Sequence, residues 1–222
     1  MVGMTYLSLL LTSPMQSWGY QSKFDQRTTL SHPTRSGVIG LICAALGIDR
    51  GDDVNLARLN EIELTTLVLK SGNRYVDFHT VGGGWDKKTN SQRICRKASG
   101  SAGDTVISRR HYVCDAKFGV IVSGNEKLLN EIALALKNPK WGLWLGRKAC
   151  IPSEPIFQGL FPSYDEAKEK LCVVCGVEKE KYRIEEVSSF KDGTDSIQDN
   201  PINYERRQFS PRRINVTEEI EE

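Results

Sequence analysis

Apolar and polar positions follow two periods along this chain, and the periods mark its elements. Residues 5–11 place Leu7, Leu9 and Leu11 in alternation with Tyr6, Ser8 and Leu10 and stop at Ser13-Pro14, the pattern of a strand. Residues 14–33 are polar with few apolar anchors and read as a long loop. Residues 33–47 read as a helix, with Thr34 or Ser36 to cap it and Gly47 to end it. Gly37, Gly40 and Ala44 are spaced three and four apart, so they share one helix face that admits close approach of another backbone. A glycine inside a helix costs about 1 kcal/mol relative to alanine, so two of them call for such a reason. Residues 63–70 read as a second strand, 75–78 as a third and 112–122 as a returning strand. Residues 125–137 carry Leu128, Leu129, Ile132, Ala133 and Leu136 on one side of an amphipathic helix, stopped by Asn138-Pro139. Beyond Pro152 the pattern is short: strands at 172–177 and 182–187, then an Asp/Gly/Ser/Asn-rich loop at 191–201.

The order strand, helix, strands, insert, strand, helix predicts an α+β fold. It suits a ferredoxin-like or RRM-like sandwich with helices on one face of its sheet. The division falls near residue 150. Residues 1–150 form the ferredoxin-like domain with an insert at about 79–112, and residues 151–222 form a smaller β-rich part.

Charge changes this picture. The 222 residues hold 30 Lys+Arg and 28 Asp+Glu. Residues 1–153 nonetheless carry a surplus of +8 and residues 154–222 a balance of −6. Much of the surplus lies in the insert. After Gly82-Gly83-Gly84 come Lys87, Lys88, Arg93, Arg96, Lys97, Arg109 and Arg110, opposed only by Asp86 and Asp104. A long glycine-containing basic loop suits a loop that closes on phosphates; the competing reading is a solvated surface loop. No apolar run approaches the roughly 18 residues of a membrane span, and no basic region precedes the first apolar segment as in an export signal. Six cysteines then read as reduced thiols of a cytoplasmic protein.

Candidate chemistry is sparse. The helix start at 33–37 presents free N–H groups beside Thr34, Arg35, Ser36 and Gly37, suited to an oxyanion or to ordinary capping, without the spacing of a P-loop. In Trp141–Lys148, Arg147 and Lys148 suit phosphates, and the two tryptophans suit stacked bases or, the favoured reading, the core. Cys172-x-x-Cys175 is half a zinc site without a second half, and on a strand its thiols would face opposite sides, so no metal is expected. His32, His79 and His111 are the only imidazoles. One could serve a metal-independent ribonuclease as general base, but three scattered histidines define no site.

The run YLSLLLTSPMQSWGYQSKFDQRTTLSHPTRSGVIGLICAALGIDR closely resembles the CasD family, the small RAMP-type subunit of the type I-E CRISPR surveillance complex Cascade. DFHTVGGG and TVISRRHYVCDAKFGVIV look like the two ends of that family's thumb hairpin, LGRKACIPSEPIF like its Gly-Arg turn, and NPINYERRQFSPRRINV like its C-terminal segment. The resemblance implies a RAMP domain with a long β-hairpin thumb. It implies a non-catalytic RNA-binding subunit that grips the 5′ handle of crRNA and caps the backbone filament in antiviral defence. CasC and CasA would be neighbours, with no cofactor or membrane. It implies RNA contacts at Gln16, Trp18, Arg27, Thr34, Arg35, Ser36, Gly37, Gly40, His79, Arg109, Arg110, Arg147 and Lys148. Arg110 matches the arginine at the end of the thumb. The insert's glycines and Lys87–Lys97 match nothing closely, so those roles rest on charge alone. Two other readings stand beside this one: an endoribonuclease that processes repeat RNA through His79 or His111, and a protein adaptor without RNA.

Overall fold

The computed structural model describes residues 5–218 apart from 83, 93, 97, 98, 104, 188 and 190. Gly83, Arg93, Lys97 and Asp104 of the basic insert lie outside the described residues. Strand β1 (Tyr6–Thr12) is followed by helices α1 (Arg35–Leu46) and α2 (Asp53–Leu59), then strands β2 (Glu63–Lys70) and β3 (Asn73–Val81). Strands β4 (Val106–Cys114) and β5 (Lys117–Ser123), helix α3 (Glu126–Lys137) and strand β6 (Phe157–Phe161) come next. Helix α4 (Tyr164–Cys175) and strands β7 (Tyr182–Val187), β8 (Asp195–Asn203) and β9 (Gln208–Glu218) complete the chain.

A seven-stranded sheet runs β6-β1-β5-β2-β7-β9-β8, every pair antiparallel. Its first four strands, with α1 and α3, have the ferredoxin-like order. β6 pairs with β1, so that motif continues past residue 150. The C-terminal strands extend the same sheet, β7 pairing with β2 through Tyr182↔Val68 to Ile184↔Thr66. Between β2 and β5 rises a ribbon, β3 paired with β4 over nine residues from Asn73↔Cys114 to Val81↔Val106.

Helices cover both faces, not one. Leu7, Leu9, Leu11, Val120 and Val122 pack with α1 and α3, while Leu10, Leu67, Leu69 and Ile121 pack with Ala167, Leu171, Cys172 and Cys175 of α4. The second cover explains Ser8, fully buried on the α4 side, whose hydroxyl donates to the Ala167 carbonyl at 3.0 Å.

The elements follow local chemistry where it is strong. Thr34 caps α1 by accepting from the Gly37 N–H at 3.2 Å, and Gly47 ends it at φ +73°. The expected strand at 172–177 is instead the end of α4. Its start is a capping box in which Ser163 Oγ accepts from Glu166 N–H at 3.3 Å, and Gly176 closes it in the left-handed region. Cys172 and Cys175 therefore share one helix face and are both buried. The run 112–122 is two strands joined at Asp115, β8 occupies part of the expected loop at 191–201, and α2 was not indicated by any strong periodicity.

Candidate nucleic-acid interface

The ribbon's alternation sorts its charges. Residues paired across strands share a face, so Asp77, His79, Ser108, Arg110 and Tyr112 lie on one side. Val76, Phe78, Ile107, Arg109 and His111 lie on the other. The contacts agree: Arg110 Nε donates to Ser108 Oγ at 3.2 Å, while the Arg109 guanidinium stands 6.0 Å from the Phe78 ring centre. The adjacent arginines thus face opposite ways, as do His79 and His111. His79 pairs with Asp77 at 3.5 Å on the Arg110 side.

A second segment joins the Arg110 side. Gln26–Arg27 runs parallel to β4, with Arg27 opposite Arg110. Arg147 donates from Nη2 to the Arg27 carbonyl at 2.9 Å and stacks 4.5 Å from the Tyr112 ring centre. Its Nη1 is buried with no hydrogen-bond partner among the described residues. Arg147 reaches this position because Gly146 turns at φ +96° against the Ser17 carbonyl, where a Cβ would lie only 1.7 Å from that oxygen. Arg27, Arg110 and Arg147 therefore form one cationic ledge on an aromatic base.

Beside the ledge runs a groove of about 1000 Å³. Gly37, Gly40 and Ala44 of α1 line its floor, and the two glycines admit side chains rather than another helix: a Cβ would lie 2.9 Å from the Trp18 ring at Gly37 and 3.4 Å from the Tyr204 hydroxyl at Gly40. One wall is the 140–148 loop, held to the end of α1 by Lys140 N–H to the Ala45 carbonyl at 2.9 Å and Trp141 N–H to the Ala44 carbonyl at 3.1 Å. The other is the β8–β9 turn, where the Tyr204 hydroxyl donates to the Ser36 carbonyl at 2.6 Å. Burial holds the Tyr204 phenol well above its usual range, so it stays a donor. Burial also pushes the Cys43 thiol, on the groove's lining, up to about 12, which keeps it protonated. Trp141 and Trp144 are 41% and 39% exposed on the wall, not core residues, and Lys148 Nζ lies 5.7 Å from the Trp144 ring centre. Arg50, Lys140 and Arg207 add positive charge to the lining.

The structure brings together Arg27, Arg110 and Arg147 on the ledge, with His79 farther along the same face, and Ser36, Gly37, Gly40 and Lys148 at the groove. Four of the expected contact residues, Gln16, Trp18, Thr34 and Arg35, are 0–4% exposed, with their side chains turned into the fold. Gln16 donates to the Ala116 carbonyl at 2.9 Å and accepts from the Trp18 indole at 3.2 Å, and Trp18 packs edge-on to Phe118. Arg35 is engaged by Glu186 and Asn200. Arg109 belongs to the other ribbon face. Arg50, Tyr204 and Arg207 escaped the sequence reading because no local motif links them to α1.

Among the described residues no group of three or more His, Cys, Asp or Glu could hold a metal ion, and no helix is long and apolar enough to cross a membrane. Burial lowers the His32 imidazole to about 4, with Arg212 lowering it further.

A ferredoxin-like sheet carrying a β-ribbon between its second and third strands, with a cationic ledge and a glycine-floored groove at the ribbon's base, defines a RAMP-type protein. The chain belongs to the CRISPR-associated Cas5 family, whose model, described as "CRISPR-associated protein (Cas_Cas5)", matches residues 6–217. It is 31% identical over 179 residues to the CRISPR system Cascade subunit CasD of Escherichia coli (strain K12), covering 75% of this chain and 76% of that one. It is similar to a chain of a solved CRISPR RNA-guided surveillance complex, with a TM-score of 0.76, 33% identity, and coverage of 96% of this chain and 89% of that one. A solved Cas protein crystal structure gives a TM-score of 0.70 at 29% identity, covering 96% and 94%.

Proposed function

We propose that this chain is a non-catalytic RNA-binding subunit of a type I-E CRISPR surveillance complex. It grips the 5′ handle of crRNA and caps the backbone filament, with CasC and CasA as its protein neighbours. The observation that carries the reading is the convergence of Arg27, Arg110 and Arg147 on one face, continuous with the groove lined by Trp141, Trp144 and Lys148. Guanidiniums bind phosphates, and exposed indoles receive unstacked bases, which is how single-stranded RNA is held.

The test is a labelled repeat RNA carrying the 5′ handle, mixed with the full chain in chelator and run on native and denaturing gels. Intact RNA with a retarded band that disappears when the handle is scrambled is the expected result. Arg110→Ala, whose guanidinium makes a single side-chain hydrogen bond, is expected to weaken binding about tenfold at low salt while the melting temperature stays within 2 °C, approximate values for the loss of one phosphate contact. A discrete cleavage product would replace this reading with the ribonuclease. Unchanged affinity of the Arg110 variant would remove the ledge from it.

A further inference from the structure

Phe24 lies outside every contact described so far, and its ring is 88% exposed. The loop that carries it is built, not loose. At its neck Leu30 N–H donates to the Trp18 carbonyl at 2.9 Å and Trp18 N–H donates to Thr29 Oγ1 at 2.7 Å, both anchored on a buried indole. Thr28 Oγ1 donates to the Tyr20 carbonyl, and Gln21 takes the left-handed region at φ +48° to turn the chain. On the far side, Arg109 N–H donates to the Asp25 carbonyl at 2.7 Å, and the next two residues pair with β4. Phe24 is therefore held at the tip of a loop fixed at both ends, one residue from the ribbon and three from Arg27.

The surroundings identify the partner. The neighbouring side chains in this loop are Gln21, Ser22, Lys23, Asp25, Gln26 and Arg27, all polar. The exposed Val76, Phe78 and Ile107 side chains of the ribbon belong to its Arg109 face, and within its own loop Phe24 is a single ring among polar and charged groups, less than the contiguous apolar area of a protein interface core. A nucleobase needs only a flat apolar face with cations nearby for its phosphates. We infer that Phe24 is a base-stacking residue, receiving one unpaired base of the RNA whose phosphates lie on Arg27, Arg110 and Arg147; this rests on the RNA-binding reading above. Stacking supplies affinity without neutralising phosphate, so it adds little to the salt dependence.

The experiment measures affinity of the full chain for the handle-bearing RNA across a salt series, for wild type, Phe24→Ala, Phe24→Trp and Arg110→Ala. Phe24→Ala is expected to bind about 5- to 150-fold more weakly, the range for one stacked base, with the wild-type salt slope. Phe24→Trp is expected to bind within about twofold of wild type, because an indole also stacks. Arg110→Ala is expected to flatten the slope by about 0.7, one phosphate on a single strand. An RNA with one abasic handle position is expected to bind wild type and Phe24→Ala equally. If wild type binds and Phe24→Ala binds equally well, the inference is overturned and the ring faces a protein neighbour. If wild type shows no salt-dependent RNA binding, the RNA reading itself falls, and this inference with it.

Discussion

Replacing Arg35 with alanine separates a residue that holds the fold from one that touches RNA. Its guanidinium is 4% exposed and fully engaged. Nη1 donates to both Glu186 oxygens at 2.7 and 2.9 Å, and Nε donates to Asn200 Oδ1 at 2.9 Å. Nη2 donates to the Asn60 and Ile62 carbonyls, both at 2.9 Å. The residue's own N–H donates to Asp199 Oδ2 at 2.7 Å, and Arg212 completes the cluster with Asp199 at 2.6 Å and Glu186 at 3.2 Å. The start of α1, the end of α2 and strands β7 and β8 thus meet at one side chain. Alanine would leave Glu186 with one cation in place of two and two carbonyls without their donor. Removing one partner of a buried, hydrogen-bonded ion pair costs about 3–5 kcal/mol. For a chain of this length that lowers the melting temperature by about 10 °C. Arg35→Lys keeps the charge but cannot reproduce the fork, so an intermediate loss is expected. Thermal and urea unfolding of the full chain measure both. The reasoning is refuted if Arg35→Ala unfolds at the wild-type midpoint and binds RNA more weakly, because Arg35 would then be a contact and not a clamp.

Gly146→Ala is expected to cost about 3 kcal/mol or more and to abolish soluble expression or lower the melting temperature sharply, since a Cβ there meets the Ser17 carbonyl oxygen at 1.7 Å and φ is +96°. His32 gives a pH dependence with a defined sign. Its folded value is about 4 against 6.5, so between those values the unfolded chain binds a proton that the folded chain refuses. Stability is present above pH 6.5 and is lost as pH falls toward 4, by up to about 3 kcal/mol from this group. Asp195, Asp199 and Arg212 act on it, so the comparison with His32→Gln in urea unfolding from pH 7 to 4 isolates the imidazole: the variant is expected to lack that part of the slope.

Periodicity located what local chemistry specifies. β1, α1, β2 and α3 appear at or near their expected bounds because each carries its own pattern, and α1 and α3 carry strong caps at Thr34 and Asn125. α4 was missed altogether because its end, Cys-Val-Val-Cys-Gly-Val, also satisfies a strand, although Ser163 and Glu166 mark a helix start upstream. β8, rich in Asp, Asn and Ser, is an edge strand whose backbone pairing with β9 does what its side chains do not announce.

The chain's own pattern was enough for the ferredoxin-like order, the presence of a basic insert between strands, the glycine face of α1 and the positive surplus of the first 153 residues, while the paired ribbon, whose second strand starts at Val106 inside the expected loop, came from the family resemblance. These are local properties: each depends on residues a few positions apart and on one helix or strand period. Which arginine meets solvent was not legible, because burial is set by partners distant along the chain. Arg35 and Arg110 look alike as sequence, yet Glu186, Asn200 and Asp199, more than 150 positions away, enclose the first, while the ribbon leaves the second half-exposed. The groove likewise exists only because a turn near residue 204 and a loop near residue 141 come to rest on either side of one glycine-lined helix.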